Sequence, residues 1–257
     1  MPSEVRHEVD GGQAYPVLRL IGVLDAASAL SIRSCLFTLL SGQPEAIVVD
    51  VRQLVIGEPA AVAVLAGVAQ EAAAWPGCHL MLCADPCAAG WSAAGLPIRP
   101  APEDAFAALG PPQPRRFLSM SLEPVLGAAR RSRELVTEGC VRWDLPDLAG
   151  PACIVVTEMV NNVVAHAHTT MTVMLALHGE SMSVAVRDRS THAPRFTGAP
   201  VPVTSYGGRG LLLIDSVAQR WGSLVLDEGK VVWALLHLDD RAAGQVQSTG
   251  MAGQARG

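Results

Sequence analysis

Charge is scarce in this chain, and several familiar functional signals are missing. Only 17% of its 257 residues are charged, and the formal net charge is −5. A protein that grips nucleic acid carries a basic footprint, so this balance argues against direct nucleic-acid binding. Long hydrophobic runs are also missing. The longest apolar stretch, Pro59 to Ala69, is too short and too rich in alanine to span a bilayer. The opening MPSEVRHEVDGG has no apolar h-region, so no secretory signal is visible, and a cytoplasmic location without membrane contact is the expectation. Six cysteines are present but no CxxC pair. Cys78, Cys83 and Cys87, with His79 beside them, match no metal-ligand spacing, and Cys78 to Cys83 lies along a strand-like HLMLC with the two cysteines on opposite faces. They read as small buried hydrophobes. Neither GxxxxGK[ST] nor GxGxxG occurs, which excludes the P-loop and the dinucleotide-binding fingerprint.

Half of the residues are hydrophobic, enough to fill two compact cores. In the first half, Val17–Gly22 reads as a strand and a polar-capped helix follows near Ala26–Leu40. Ala46–Val51 is a continuous apolar strand suited to a central position. A helix from Pro59 to Trp75 and a strand at 79–84 complete an alternation that predicts a small α/β domain over residues 1–109. Residues 110–116, GPPQPRR, form a proline-rich linker. A second domain spans 117–240, and the tail 241–257 has no apolar periodicity and reads as disordered. The cluster Arg130, Arg131 and Arg133 reads as a solvated helix face.

Residues 157–168, TEMVNNVVAHAH, hold the most informative pattern. Glu158, Asn162 and His166 recur every fourth residue, so on a helix they form one stripe, flanked by apolar Val155, Met159 and Val163. A carboxylate on a greasy face needs a partner, and a bound cation or a nucleophile's proton would be one. His166 and His168 have no Cys or acidic cluster at ligand spacing; His168 suits a helix C-terminus, where a cation complements the dipole. Downstream, Ser183–Asp188 reads as a strand whose Asp188 shares a face with Val184 and Val186. Then Gly207, Gly208 and Gly210 lead directly into the helical pattern Leu211, Leu212, Ile214, Val217. Glycines permit close backbone approach, and a helix start offers free N–H groups, which is phosphate-cradling chemistry.

A helix with ExxxN, a strand ending in Asp, and a glycine-rich loop before a helix resemble the GHKL-type ATP-binding fold. Within it, the segments TEMVNNVVAHA, VRDRS, GGRGLLL and SLVLDEGKVVWALL are most similar to the bacterial anti-sigma-factor serine kinases. The resemblance implies a Bergerat-type α/β sandwich that binds ATP and Mg²⁺. It implies Glu158 as general base for an attacking hydroxyl, Asn162 as Mg²⁺ holder and Asp188 as acceptor from the adenine amino group. Nucleotide contacts would come from Asn162, His166, Asp188, Gly208, Arg209, Gly210 and Leu211, with no catalytic role for Arg209. One departure stands out: Ser190 occupies the place where a glycine commonly follows the adenine-binding aspartate.

The first half, through LRLIGVLDAASA and IVVDVRQLVIGEPAAVAVLAG, is similar to the STAS domain of anti-anti-sigma factors. Members switched by phosphorylation place a serine after an acidic residue at a helix start. Here Glu58 takes the acidic place and Pro59 the serine place, and no Ser or Thr lies between Glu58 and Ala74. The implied partners are a STAS-domain anti-anti-sigma protein in trans, a sigma factor, or the STAS-like domain in cis. Family kinases often pair through the ATP-binding domain, so a homodimer is an expectation of the resemblance.

Three function classes remain: an ATP-dependent protein serine kinase of the anti-sigma type, a catalytically inactive nucleotide-binding switch or docking protein in sigma-factor regulation, and a sensor histidine kinase fragment. The third is disfavoured because no paired-helix segment with a phosphoacceptor His precedes residue 117.

Overall fold

The computed structural model describes residues 5–85, 90–114, 116–191 and 209–237, without the side chains of 209–211. Gly208, Cys87 and the tail 241–257 therefore lie outside the described residues.

The chain builds two five-stranded sheets. The first contains β1 (Arg6–Asp10), β2 (Val17–Leu24), β3 (Ala46–Ile56), β4 (His79–Cys83) and β5 (Ile98–Arg99), in that spatial order. β1 runs antiparallel to β2, and the remaining pairs are parallel. Parallel neighbours require crossovers, supplied here by α1 (Ala26–Ser41) and α2 (Val62–Ala74). α1 starts where Asp25 and Ser28 close a capping box: the Ser28 N–H donates to Asp25 Oδ1 at 2.8 Å, and the Asp25 N–H to Ser28 Oγ at 2.8 Å. β3 is central, as its apolar run predicts, and continues past Val51 to Ile56. The helix expected from Pro59 begins as a separate 3₁₀ turn, Pro59–Ala61. α3 (Pro102–Leu109) covers the opposite face, where Ala105 packs with Val17, Val48 and Cys83.

The described residues of the segment expected as a linker form neither helix nor strand, yet they are pinned to the first sheet's unit. The Tyr15 hydroxyl donates to the Gly110 carbonyl at 3.2 Å, and the Gln113 N–H donates to Glu45 Oε2 at 3.1 Å.

The second sheet contains β6 (Phe117–Leu122), β7 (Met171–His178), β8 (Ser181–Asp188), β9 (Arg220–Leu226) and β10 (Gly229–His237), ordered β6-β7-β8-β10-β9 and antiparallel throughout. α4 (Ala128–Arg142), α5 (Ala149–Asn162) and α6 (Arg209–Val217) pack on one face, against Val173, Leu175, Val184, Val186, Val232, Ala234 and Leu236. Arg130, Arg131 and Arg133 are exposed on α4, the solvated face read from the sequence. The helical run Pro146–Ala167 is long and apolar enough to cross a membrane by length and composition. Its Ala152, Val155, Val156, Met159 and Val160 are instead buried in this core.

The sheet's other face is covered by the first unit. Met174, Ala185, Leu224, Leu226, Val231, Trp233 and Leu235 join the hydrophobic core built from α1, α2 and the first sheet. Trp75, at the end of α2, meets Trp233 edge-on with ring centroids 5.7 Å apart. Polar contacts border the apolar seam. Ser34 hydrogen-bonds Asp227, Ser183 Oγ donates to Gln43 Oε1 at 2.9 Å, and Arg187 donates to Ser41 Oγ at 3.4 Å. The order of layers is α3, first sheet, α1 and α2, second sheet, then α4 to α6.

Candidate nucleotide site

α5 carries the stripe expected from its spacing, but only in part. Val155 and Met159 are buried, and Glu158 and Asn162 sit half-buried one turn apart beside them. Among the described residues, neither side chain makes a hydrogen bond or ion pair with another, so both remain available. Directly after Asn162 the helix widens into a π turn, Val163–Ala167, closed by the His168 N–H donating to the Val163 carbonyl at 2.8 Å. His168 then ends the helix with φ 53°, a left-handed conformation uncommon for a side-chain-bearing residue. His166 lies on this widened turn and is exposed, whereas Glu158 and Asn162 are half-buried. π turns concentrate at functional sites. No sequence signal in the stripe itself announces this one.

Asp188 ends β8 on the helix-facing side, as its parity with Val184 and Val186 predicts. Its partner was not anticipated. Lys230, paired with Asp188 across β8 and β10, places Nζ 2.9 Å from Asp188 Oδ2 and 3.0 Å from Oδ1. The Ser190 N–H donates to the same Oδ1 at 2.7 Å, and Lys230 also reaches the Ser190 carbonyl at 3.3 Å. Both side chains are nearly sealed from solvent, 1% exposed for Asp188 and 10% for Lys230. Gly229 allows this closeness: its φ is +124°, and a Cβ there would overlap the Asp188 carbonyl and lie 2.8 Å from Arg189 Cα. The sequence did hold a signal, since Lys230 has the same parity as Val232 and Ala234 in an otherwise apolar strand.

An open cleft of about 1070 Å³ lies at this end of the second sheet, lined by Leu122, Gly127, Arg130, Arg131, Met171, Asp188 and Glu228 among others. That space suffices for a nucleotide-sized ligand. Of the residues expected at the site, Asp188 lines this cleft; Glu158, Asn162 and His166 do not. α5 packs against β8 and α6, so the helix bearing Glu158 adjoins both the strand ending in Asp188 and the helix that follows the glycine-rich loop. That helix begins at Arg209, so Arg209, Gly210 and Leu211 form its first turn. Gly208 itself is outside the described residues. Arg130, Arg131, Arg187 and Arg189 border the cleft and were not assigned to a site from sequence.

Residues 125–235 match the family model described as the histidine kinase-like ATPase domain. A comparison with curated proteins gives no match. Among solved structures, the chain is similar to an anti-sigma factor antagonist from Mycobacterium paratuberculosis, at 18% identity and a TM-score of 0.36, over 42% of this chain and 97% of that one. It is also similar to the anti-sigma factor antagonist SpoIIAA in its unphosphorylated form, at 20% identity and a TM-score of 0.33, over 40% of this chain and 96% of that one.

Proposed function

With a histidine kinase-like ATPase domain at residues 125–235 as premise, we propose that the chain is an anti-sigma-type protein serine kinase that binds Mg²⁺-ATP and phosphorylates a STAS-domain partner in trans. The observation that carries this reading is the pair Glu158 and Asn162, half-buried, one turn apart and without side-chain partners among the described residues, on the core helix of the ATPase domain. ATP would supply the phosphoryl group. Asn162 has the carbonyl oxygen that a hard cation accepts, and Mg²⁺ bound this way keeps most of its waters. Glu158 would take the proton of the attacking serine hydroxyl, the base role that phosphoryl transfer requires. Asp188 would receive the adenine amino group, and the first turn of α6 would face the phosphates with its N–H groups.

The STAS-like unit in cis supports a partner in trans. Pro59 stands exposed at the start of the 3₁₀ turn, with Glu58 before it, and offers no hydroxyl. Packed on the second sheet, that unit serves as a non-phosphorylatable docking module, and a sigma factor or a free STAS protein is the partner class its fold suits.

A second reading, a nucleotide-binding switch without transfer, is favoured by one observation: the Asp188 carboxylate is already bound by Lys230 and Ser190. Calorimetry with Mg²⁺-ATP on wild type, Asn162→Ala and Asp188→Ala tests the site. Micromolar binding, about −8 kcal/mol, lost in both variants supports ATP binding; undiminished binding in both refutes the assignment. Transfer of labelled phosphate to a STAS protein, lost in Glu158→Gln with ATP binding retained, separates kinase from switch.

A further inference from the structure

We propose that Lys230 is a specificity-determining residue that neutralises the base-reading carboxylate and leaves the site tolerant of nucleobases without an amino group, an inference that rests on the ATP-binding reading above. An ammonium has three protons to donate, and a carboxylate has about four acceptor positions. Lys230 spends its three on Asp188 Oδ2 at 2.9 Å, Asp188 Oδ1 at 3.0 Å and the Ser190 carbonyl at 3.3 Å. Asp188 Oδ1 also takes the Ser190 N–H at 2.7 Å. One position on Oδ2 is left for a ligand.

Strong discrimination arises when the wrong ligand leaves a buried polar group of the site unpaired. At a lone buried carboxylate, a base carrying a carbonyl instead of an amino group would do that. Here the carboxylate is paired before any base arrives, so a base without the amino group incurs little penalty. The geometry is fixed by the fold: Lys230 stands opposite Asp188 in the β8–β10 register, and Gly229 brings the two strands close enough for the pair to form.

The test is calorimetric titration of the full chain with Mg²⁺-ATP and Mg²⁺-ITP, in which a carbonyl replaces the adenine amino group. Wild type should bind the two within about threefold of each other, whereas Lys230→Met should prefer ATP by more than about tenfold. Lys230→Gln, which keeps a hydrogen-bond donor toward Asp188 and is the gentler change for folding, should fall between them. A wild-type preference for ATP above tenfold overturns the proposal and needs no variant. Equal ATP-to-ITP ratios in wild type and both variants overturn it as well, with ATP binding intact. Failure of wild type and variants to bind either nucleotide overturns the ATP-binding reading itself, and this inference with it.

Discussion

The seam between the first unit and the second sheet can be probed at Gly77, which belongs to neither core. Gly77 follows α2 with φ +65°, and a Cβ added there would overlap the His178 ring at the end of β7, reaching within 2.6 Å of Cε1 and Cγ. His178 Nε2 lies 3.4 Å from Ser183 Oγ, the group that donates to Gln43 of the first unit. Gly77→Ala therefore combines two penalties. A left-handed conformation costs a side-chain-bearing residue about 1 kcal/mol, and forcing atoms into a filled seam costs about 2 kcal/mol. Gly95 provides the control, because its φ is +66° and no atom lies within 4 Å of its added Cβ. Gly95→Ala should lose about 1 kcal/mol and Gly77→Ala about 3 kcal/mol. Urea unfolding followed by tryptophan fluorescence reads both, with Trp75 and Trp233 reporting from the seam itself. In a His178→Ala background the excess should shrink to nearly nothing, the signature of two coupled positions. Equal losses for Gly77→Ala and Gly95→Ala, or an excess that survives removal of the His178 ring, would refute the steric reasoning.

Further consequences can be measured directly. Trp233→Ala empties a position that is 5% exposed and should cost about 4 kcal/mol, with amide exchange rising in α1 and α2; unchanged exchange there would contradict the docking. Burial pushes the Asp50 carboxyl up, but the Arg52 guanidinium, bound at 2.9 and 2.8 Å, and the Arg52 N–H together pull it below its ordinary value of 3.8. Its contribution to stability is thus full above pH 3.8 and is lost as pH falls through the depressed value. Urea midpoints of wild type should therefore fall more steeply in acid than those of Asp50→Asn. Burial raises the Cys83 and Cys140 thiols to about 11, so iodoacetamide at about pH 8 should modify them only after denaturation. Prompt labelling of Cys83 or Cys140 in the native protein would count against that residue's placement.

Much of this arrangement was legible in the chain. β3 and β8 could be read because their side chains follow burial faithfully, and the 158/162 pair because helical spacing holds through Asn162. The π turn that carries His166 could not be read, because it depends on backbone hydrogen bonding that residue types do not encode. β1 escaped because it is an edge strand with mostly exposed residues, and Arg6–Asp10 shows no apolar period. The Lys230–Asp188 pair depends on register between strands separated by the glycine-rich loop and α6, information that no local window contains. The docking did leave a trace. VVWALL in β10 is apolar at consecutive positions, as expected when both faces of a strand are covered.

That double coverage makes β10 a strand with two addresses. Its odd residues, Val231, Trp233 and Leu235, answer to the first unit, and its even residues, Val232, Ala234 and Leu236, answer to the core under α4 to α6. Alternate letters of one short word are therefore constrained by different surfaces. In chains that carry the ATPase domain without a first unit, the even letters should stay apolar. The odd ones should drift toward polar residues unless another surface covers them.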